Sequence, residues 1–309
     1  MDPRGIRDDA TLRIPGPHWG RGPAGRFKIG RWMILATLLG CATALPLHST
    51  PPGQLRDEIA RDVPSLSRNE VIIPHELSNE ARSLIHSEIG NLDDSDLGAR
   101  ALLDLLFDPG HLHLQYEWGL TLTANSTLAH GGGNCVSLAS VLVGAARQYG
   151  GAARYVEVQH PPERRREGDL DIWASHIAVL LPSRDGMLLV DFTGFLDHWP
   201  IRFHSLSDRT LVAHFYNDRG YDLIHWAHEE GRPIPWAQAR ELFETATRID
   251  PKLGHGWNNL GVALARMSEL EAADSAYQRA MKTRSLYLES ATQDNLISLD
   301  LRRQRDPSP

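Results

Sequence analysis

Cysteine is nearly absent: 309 residues contain only Cys41 and Cys135. So few thiols exclude a disulfide framework, and the fold must rest on an ordinary hydrophobic core. No apolar run approaches the ~18 residues of a membrane-crossing helix. An excess of positive charge is missing too. Thirty-two Lys and Arg against 39 Asp and Glu give a formal net charge of −7, which argues against nucleic acid as a main partner. The one strongly basic cluster, Arg164-Arg165-Arg166, is hemmed in by Glu163, Glu167 and Asp169 and reads as a solvated loop. What is present, 41% hydrophobic and 23% charged residues, is the composition of a soluble globular protein with one large or two ordinary domains.

The N-terminal region carries an export pattern. Arg26, Lys28 and Arg31 precede the apolar run Trp32–Gly40, the length of a signal-peptide core. Leu38-Leu39-Gly40-Cys41 resembles the bacterial lipobox, which implies diacylation of Cys41 and a membrane anchor. Ala42, in place of an aspartate, implies the outer membrane. Ala42-Thr43-Ala44 offers the competing reading, cleavage that leaves a soluble periplasmic protein. The expectation is a lipid-anchored envelope protein, with residues 1–44 as signal and lipoprotein segment. Residues 45–75, rich in Pro, Ser, Arg and Asp, are expected to be a tether. With Cys41 lipidated or removed, Cys135 is the single free thiol.

Helical periodicity starts near Ser78, with Ala81, Leu84, Ile85 and Ile89 on one face. It resumes over Asp94–Phe107, until Asp108-Pro109-Gly110 stops it. His130-Gly131-Gly132-Gly133-Asn134-Cys135 then leads into the apolar run Val136–Ala146. This places the thiol in or just before the first turn of a helix that ends at Gly150-Gly151. Unpaired N–H groups and the positive dipole end favour an anion at such a place. Three strands are expected next, Ala153–Gln159, Ser175–Leu181 and Met187–Phe192, with 160–171 as a polar loop and Asp185-Gly186 as a hairpin turn. Helices followed by an antiparallel sheet argue for an α+β domain over residues 76–206.

Beyond Ser207 the chain reads as helical and repetitive. Ala239, Phe243, Ala246 and Pro251 recur 34 residues later as Ala273, Tyr277, Ala280 and Ser285, and Trp257-Asn258-Asn259-Leu260-Gly261 opens the second unit. That period and pattern resemble the tetratricopeptide repeat, which implies two repeats and a capping helix over 207–303, with an inserted loop around Glu229–Pro235 and a disordered tail at 304–309. Trp257 and Tyr277 read as core residues.

A thiol nucleophile needs a base, and the base needs an orienting group. His176 opens one arm of the hairpin and Asp191 closes the other. Whether residue 178 or residue 180 faces 191, period-two alternation puts His176 and Asp191 on one face as diagonal neighbours. A helix-borne cysteine, a strand histidine and an aspartate on the next strand resemble the transglutaminase-like cysteine enzyme superfamily. The likeness rests on Gly133–Ala139, Ala145–Gly151, Ser175–Val179 and Val190–Phe192, and in particular on the bacterial envelope branch with C-terminal tetratricopeptide repeats. It implies a papain-like α+β core and acyl transfer through a thioester, with Cys135 as nucleophile, His176 as general base and acid, and Asp191 as orienting group. The Cys135 N–H is the expected first oxyanion donor, with Gln115, Tyr116 or Trp118 as candidates for the second. The glycine triplet is expected to loosen the segment before the cysteine. His111 and His113 would share a face if extended, but without a third ligand no metal is expected, and no cofactor. Two functions follow: hydrolysis of a peptide or amide bond in a protein or peptide substrate, or a non-catalytic lipid-anchored scaffold whose repeats hold an envelope protein.

Overall fold

The computed structural model describes residues 49–89, 95–167, 170–183, 186–193, 202–283, 285 and 288–305. Cys41, the export pattern and residues 306–309 lie outside them.

From residue 49 on, the expected tether is folded. Helix α1 (Pro52–Asp62) begins with proline at its first position, where the missing N–H costs nothing. It buries Leu55 and Ile59, and Val63, Val71 and Ile73 follow them into the main core. Each such side chain contributes roughly 1.5–3 kcal/mol relative to exposure. Two apolar residues at i and i+4 among prolines and charges make too short a stripe to register as periodicity. Helices α2 (Asn79–Ile89) and α3 (Ser95–Phe107) lie where expected. Ala81 and Ile85 are buried on α2, whereas Leu84 faces solvent.

A two-residue parallel pairing then joins β1 (Gln115–Tyr116) to β2 (Gly132–Gly133), with α4 (Ala124–His130) between them. Helix α5 (Cys135–Gln148) starts directly after β2. It is buried almost throughout, because the sheet covers one side while α3, α4 and the later helix α6 pack around the others.

The sheet has four antiparallel strands in the order β5-β4-β3-β6: β3 (Arg154–Glu167), β4 (Leu170–Ser183), β5 (Gly186–Val190) and β6 (Arg202–Ser205). Residues 160–167 and 170–171 of the expected polar loop instead continue the β3–β4 ribbon. A bulge between Val158 and Glu163 takes up Pro161 and Pro162, which cannot donate to a ladder. Proline and charge hid this extension from pattern reading, and β6, four residues paired to β3, was too short to be seen. Ile177, Val179 and Leu181 join the main core. Ala178 and Leu180 pack with Val156 and Val158 in a smaller cluster on the other face.

The remaining chain is helical: α6 (Asp208–Glu229), α7 (Trp236–Ile249), α8 (Gly254–Arg266), α9 (Leu270–Lys282) and α10 (Leu288–Arg305). Ser207 caps α6 by accepting the Thr210 N–H, and the break at 230–235 falls at the expected insertion. Small residues set the helix spacing. A Cβ on Gly220 would lie 2.6 Å from the Phe243 ring, and one on Gly261 would lie 2.4 Å from the Tyr277 ring. Ala239, Phe243 and Ala246 are buried as completely as Ala273, Tyr277 and Ala280. Trp257 is only half-buried, with Arg279 stacked 4.6 Å from its ring and its Nε1–H donated to the Pro251 carbonyl.

A boundary at 206–207 does not separate two cores. Leu211, Val212, Phe215 and Tyr216 of α6 belong to the main core, while Ile224 of the same helix belongs to the core of the helical array. Arg147 on α5 grips Asp208 with both terminal nitrogens, at 2.9 and 2.8 Å, and the Tyr216 hydroxyl accepts the Ile72 N–H and donates to the Glu70 carbonyl.

Candidate active site

The turn before Cys135 is built by hydrogen bonds around Asn134. Its Oδ1 accepts the Ser137 N–H at 3.0 Å, the N-cap bond that starts α5. Its backbone N–H donates to the Leu120 carbonyl, and the Ser137 hydroxyl accepts the Leu122 N–H while donating to Leu120 O. The glycines tighten this turn where loosening was expected. Gly131 closes α4 at φ 92°, a left-handed conformation that suits glycine. A Cβ on Gly133 would lie 2.6 Å from the Ser137 Cβ. Cys135, 8% exposed, therefore occupies the first helical position with its backbone fixed.

His176 is 5% exposed on β4, paired with Val158 where the β3 bulge begins. The register Val179↔Val190 continues to 178 opposite 191, one of the two alternatives left open by the sequence. His176 and Asp191 then meet diagonally, with Nε2 of the ring 2.5 Å from Asp191 Oδ1. The same oxygen accepts the Thr193 N–H at 3.0 Å and the Thr193 hydroxyl at 2.8 Å. Burial disfavours a charged imidazole, but the hydrogen bonds to Asp191 and Cys135 outweigh it and lift His176 to about 9. Burial likewise opposes the Asp191 charge, yet His176 and Thr193 hold its carboxyl well below the usual carboxylate range. With Nε2 taken by Asp191, Nδ1 is the ring nitrogen left to serve the sulfur.

Cys135, His176 and Thr193 open on a cavity of about 380 Å³. Its far side is helical: Asp218, Tyr221 and Asp222 from α6, Asn259 and Arg266 from α8, and Asn295 and Arg302 from α10. A line of amides runs along it. Asn134 Nδ2 donates to Asp218 Oδ2 and Asn217 Nδ2 to Asp218 Oδ1, each at 3.2 Å, and Asn259 Nδ2 donates to Asn217 Oδ1 at 3.0 Å.

The candidates for the second oxyanion donor divide. The Gln115 amide donates to the His113 carbonyl at 3.0 Å and does not line the cavity. Tyr116 and Trp118 do line it, but the Trp118 Nε1–H is given to the Tyr221 hydroxyl at 3.1 Å, and Tyr221 in turn donates to Glu167. Tyr116 therefore stays a candidate for the second donor beside the Cys135 backbone N–H, whereas the Ser137 N–H is already given to Asn134 Oδ1. His113 takes φ 50°, which breaks the extended conformation needed to put it on one face with His111. Pattern reading missed Thr193, Asp218, Tyr221 and Asp222. Asn134 was legible in principle, as an N-cap residue three positions before Ser137. The two aspartates were signalled only by their i, i+4 spacing on a helix expected to be packing.

A family model described as the transglutaminase-like superfamily matches residues 88–186, so the chain carries a transglutaminase-like domain there. The match takes in Cys135 and His176 and ends before Asp191. A domain of this class implies cysteine-dependent acyl-transfer or protease-like chemistry. Searches of curated proteins and of solved structures find no match.

Proposed function

We propose that the protein is a thiol acyl-transfer enzyme that hydrolyses a peptide or amide bond through a Cys135 thioester. The observation that supports this reading is the His176–Asp191 hydrogen bond, with His176 and Cys135 lining one cavity of about 380 Å³. The Cys135 sulfur, its proton passed to His176, attacks a carbonyl carbon, and the Cys135 backbone N–H stabilises the oxyanion. The imidazolium returns the proton to the leaving amine as the C–N bond breaks. Water, deprotonated by His176, then cleaves the thioester. Asp191 holds the ring in its tautomer and stabilises its charge throughout. Hydrolysis is preferred over crosslinking, because no feature of the sequence singles out an acceptor amine.

The helical region is read as two tetratricopeptide repeats with a capping helix, α10, holding a protein substrate or envelope partner. The support is the 34-residue recurrence of buried Ala, aromatic and Ala positions, with Gly220 and Gly261 each pressed against an aromatic ring. Export and lipid anchoring at Cys41 rest on the sequence pattern alone.

Iodoacetamide labelling, mapped to Cys135 by mass spectrometry, tests the catalytic reading. Native protein is expected to label rapidly at neutral pH, and His176→Ala to label at least tenfold more slowly. Labelling only after denaturation would instead leave a non-catalytic scaffold.

A further inference from the structure

Two carboxylates lie beside the thiol that the chemistry above does not use. Asp218 and Asp222 sit one turn apart on α6, and both line the cavity that holds Cys135. Asp218 accepts a hydrogen bond from Asn134, the residue that precedes Cys135 in the chain, and shares the cavity with the thiol. Among the described residues its oxygens accept only from neutral amides, those of Asn134 and Asn217. Asp222, 8% exposed, accepts the Thr121 N–H through Oδ2 at 2.7 Å, while its buried Oδ1 has no hydrogen-bond partner among the described residues.

Neither aspartate forms an ion pair among the described residues. Arg219 is near enough to favour the Asp222 charge, but its Nη1 is spent on the Thr121 carbonyl. His225 also helps, although its ring is engaged by Glu167. Burial, reinforced by Asp222, pushes Asp218 up to about 7, and burial pushes Asp222 up to about 6. A buried carboxylate with an open lone pair is costly unless a donor meets it, and two together ask for a positive one. The cationic residues of the same cavity, Arg266 and Arg302, belong to α8 and α10.

We propose that Asp218 and Asp222 form a cation subsite beside Cys135, selecting acyl substrates with a lysine or arginine within one or two residues of the attacked carbonyl. This deepens the catalytic reading and rests on it. The subsite lies on α6, outside the family match, so the substrate preference is a property of this chain's helical region and not of the domain alone.

Peptidyl chloromethyl ketones test it, since the Cys135 thiolate forms a C–S bond to the methylene as chloride leaves. Three probes differ at one side chain, lysine, arginine or the uncharged isostere norleucine, placed either on the ketone-bearing residue or on the one before it. Labelling of the full chain is followed by intact mass. At one of the two positions the lysine or arginine probe is expected to react at least tenfold faster than the norleucine probe. Asp222→Asn, which keeps an acceptor for Thr121 N–H, should bring that ratio close to one, and Asp222→Glu should restore part of it. Equal rates at both positions in the unmodified protein overturn the subsite whatever the variants do. A Cys135 that iodoacetamide reaches in a His176-dependent way but that shows no charge preference overturns the subsite and leaves the catalytic reading standing. A Cys135 that iodoacetamide cannot reach in the native state overturns both.

Discussion

The two cores of this protein are assembled in different ways. Around α5 the core is mostly branched aliphatics, with rings such as Tyr155 and Tyr216 among them, drawn from segments far apart in sequence, from Leu55 to Leu253. The helical array packs a larger share of alanine between neighbouring helices, beside Leu260, Leu264 and Leu299, with Phe243 pressed against Gly220 and Tyr277 against Gly261. The first core holds its shape through long-range ties such as Arg147 to Asp208. The second holds it through close approach of adjacent helices. Damage should therefore spread through the first core and stay local in the second.

The largest effect is expected at the site that the first core carries. Cys135→Ala should abolish turnover of an amide substrate, and Asp191→Asn should lower it by on the order of 10³-fold or more with little change in fold, as release assays and circular dichroism would show. Next comes the tie between α5 and α6. Removing one partner of a buried ion pair costs about 3–5 kcal/mol, so Asp208→Ala should shift the whole denaturation curve, fluorescence and far-UV signals moving together. Separate transitions for sheet and helices would show that the cores are less coupled than their shared helix implies.

In the array, Gly261→Ala forces a methyl against the Tyr277 ring and should cost about 1–3 kcal/mol, with lost amide-exchange protection confined to α8 through α10. Loss that extends to α5 would erase the contrast between the two regions. Asn134→Ala removes an N-cap bond worth about 1 kcal/mol and should also slow thiol labelling, because the same side chain fixes the turn that presents Cys135. A pH dependence completes the comparison. His176 is raised from 6.5 to about 9, so the stability from its charged pairing with Asp191 is complete below pH 6.5 and is lost as pH climbs through about 9. His176→Gln should flatten that part of the stability profile in calorimetry.

The same contrast explains what the sequence disclosed. Repetition at a fixed spacing and a cysteine at a glycine-to-helix transition are local signals, and they located the array, α5 and the thiol. Alternation along β4 and β5 put His176 and Asp191 on one face without knowledge of the register. The rest is non-local. Leu55 and Ile59 mean little until α6 and α7 lie over them. Gln115 was a reasonable oxyanion donor until the left-handed turn at His113 offered its amide a nearby carbonyl. Asp218 acquires a role only where α6 returns to the start of α5.

That return fixes the order in which the protein can become competent during synthesis. The turn presenting Cys135 is braced by residues of α6, which leave the ribosome after the thiol, the histidine and the aspartate have done so. A nascent chain that already contains all three therefore still lacks the wall of its own cleft. The thiol stays unfinished until the helices that would receive a substrate are being made.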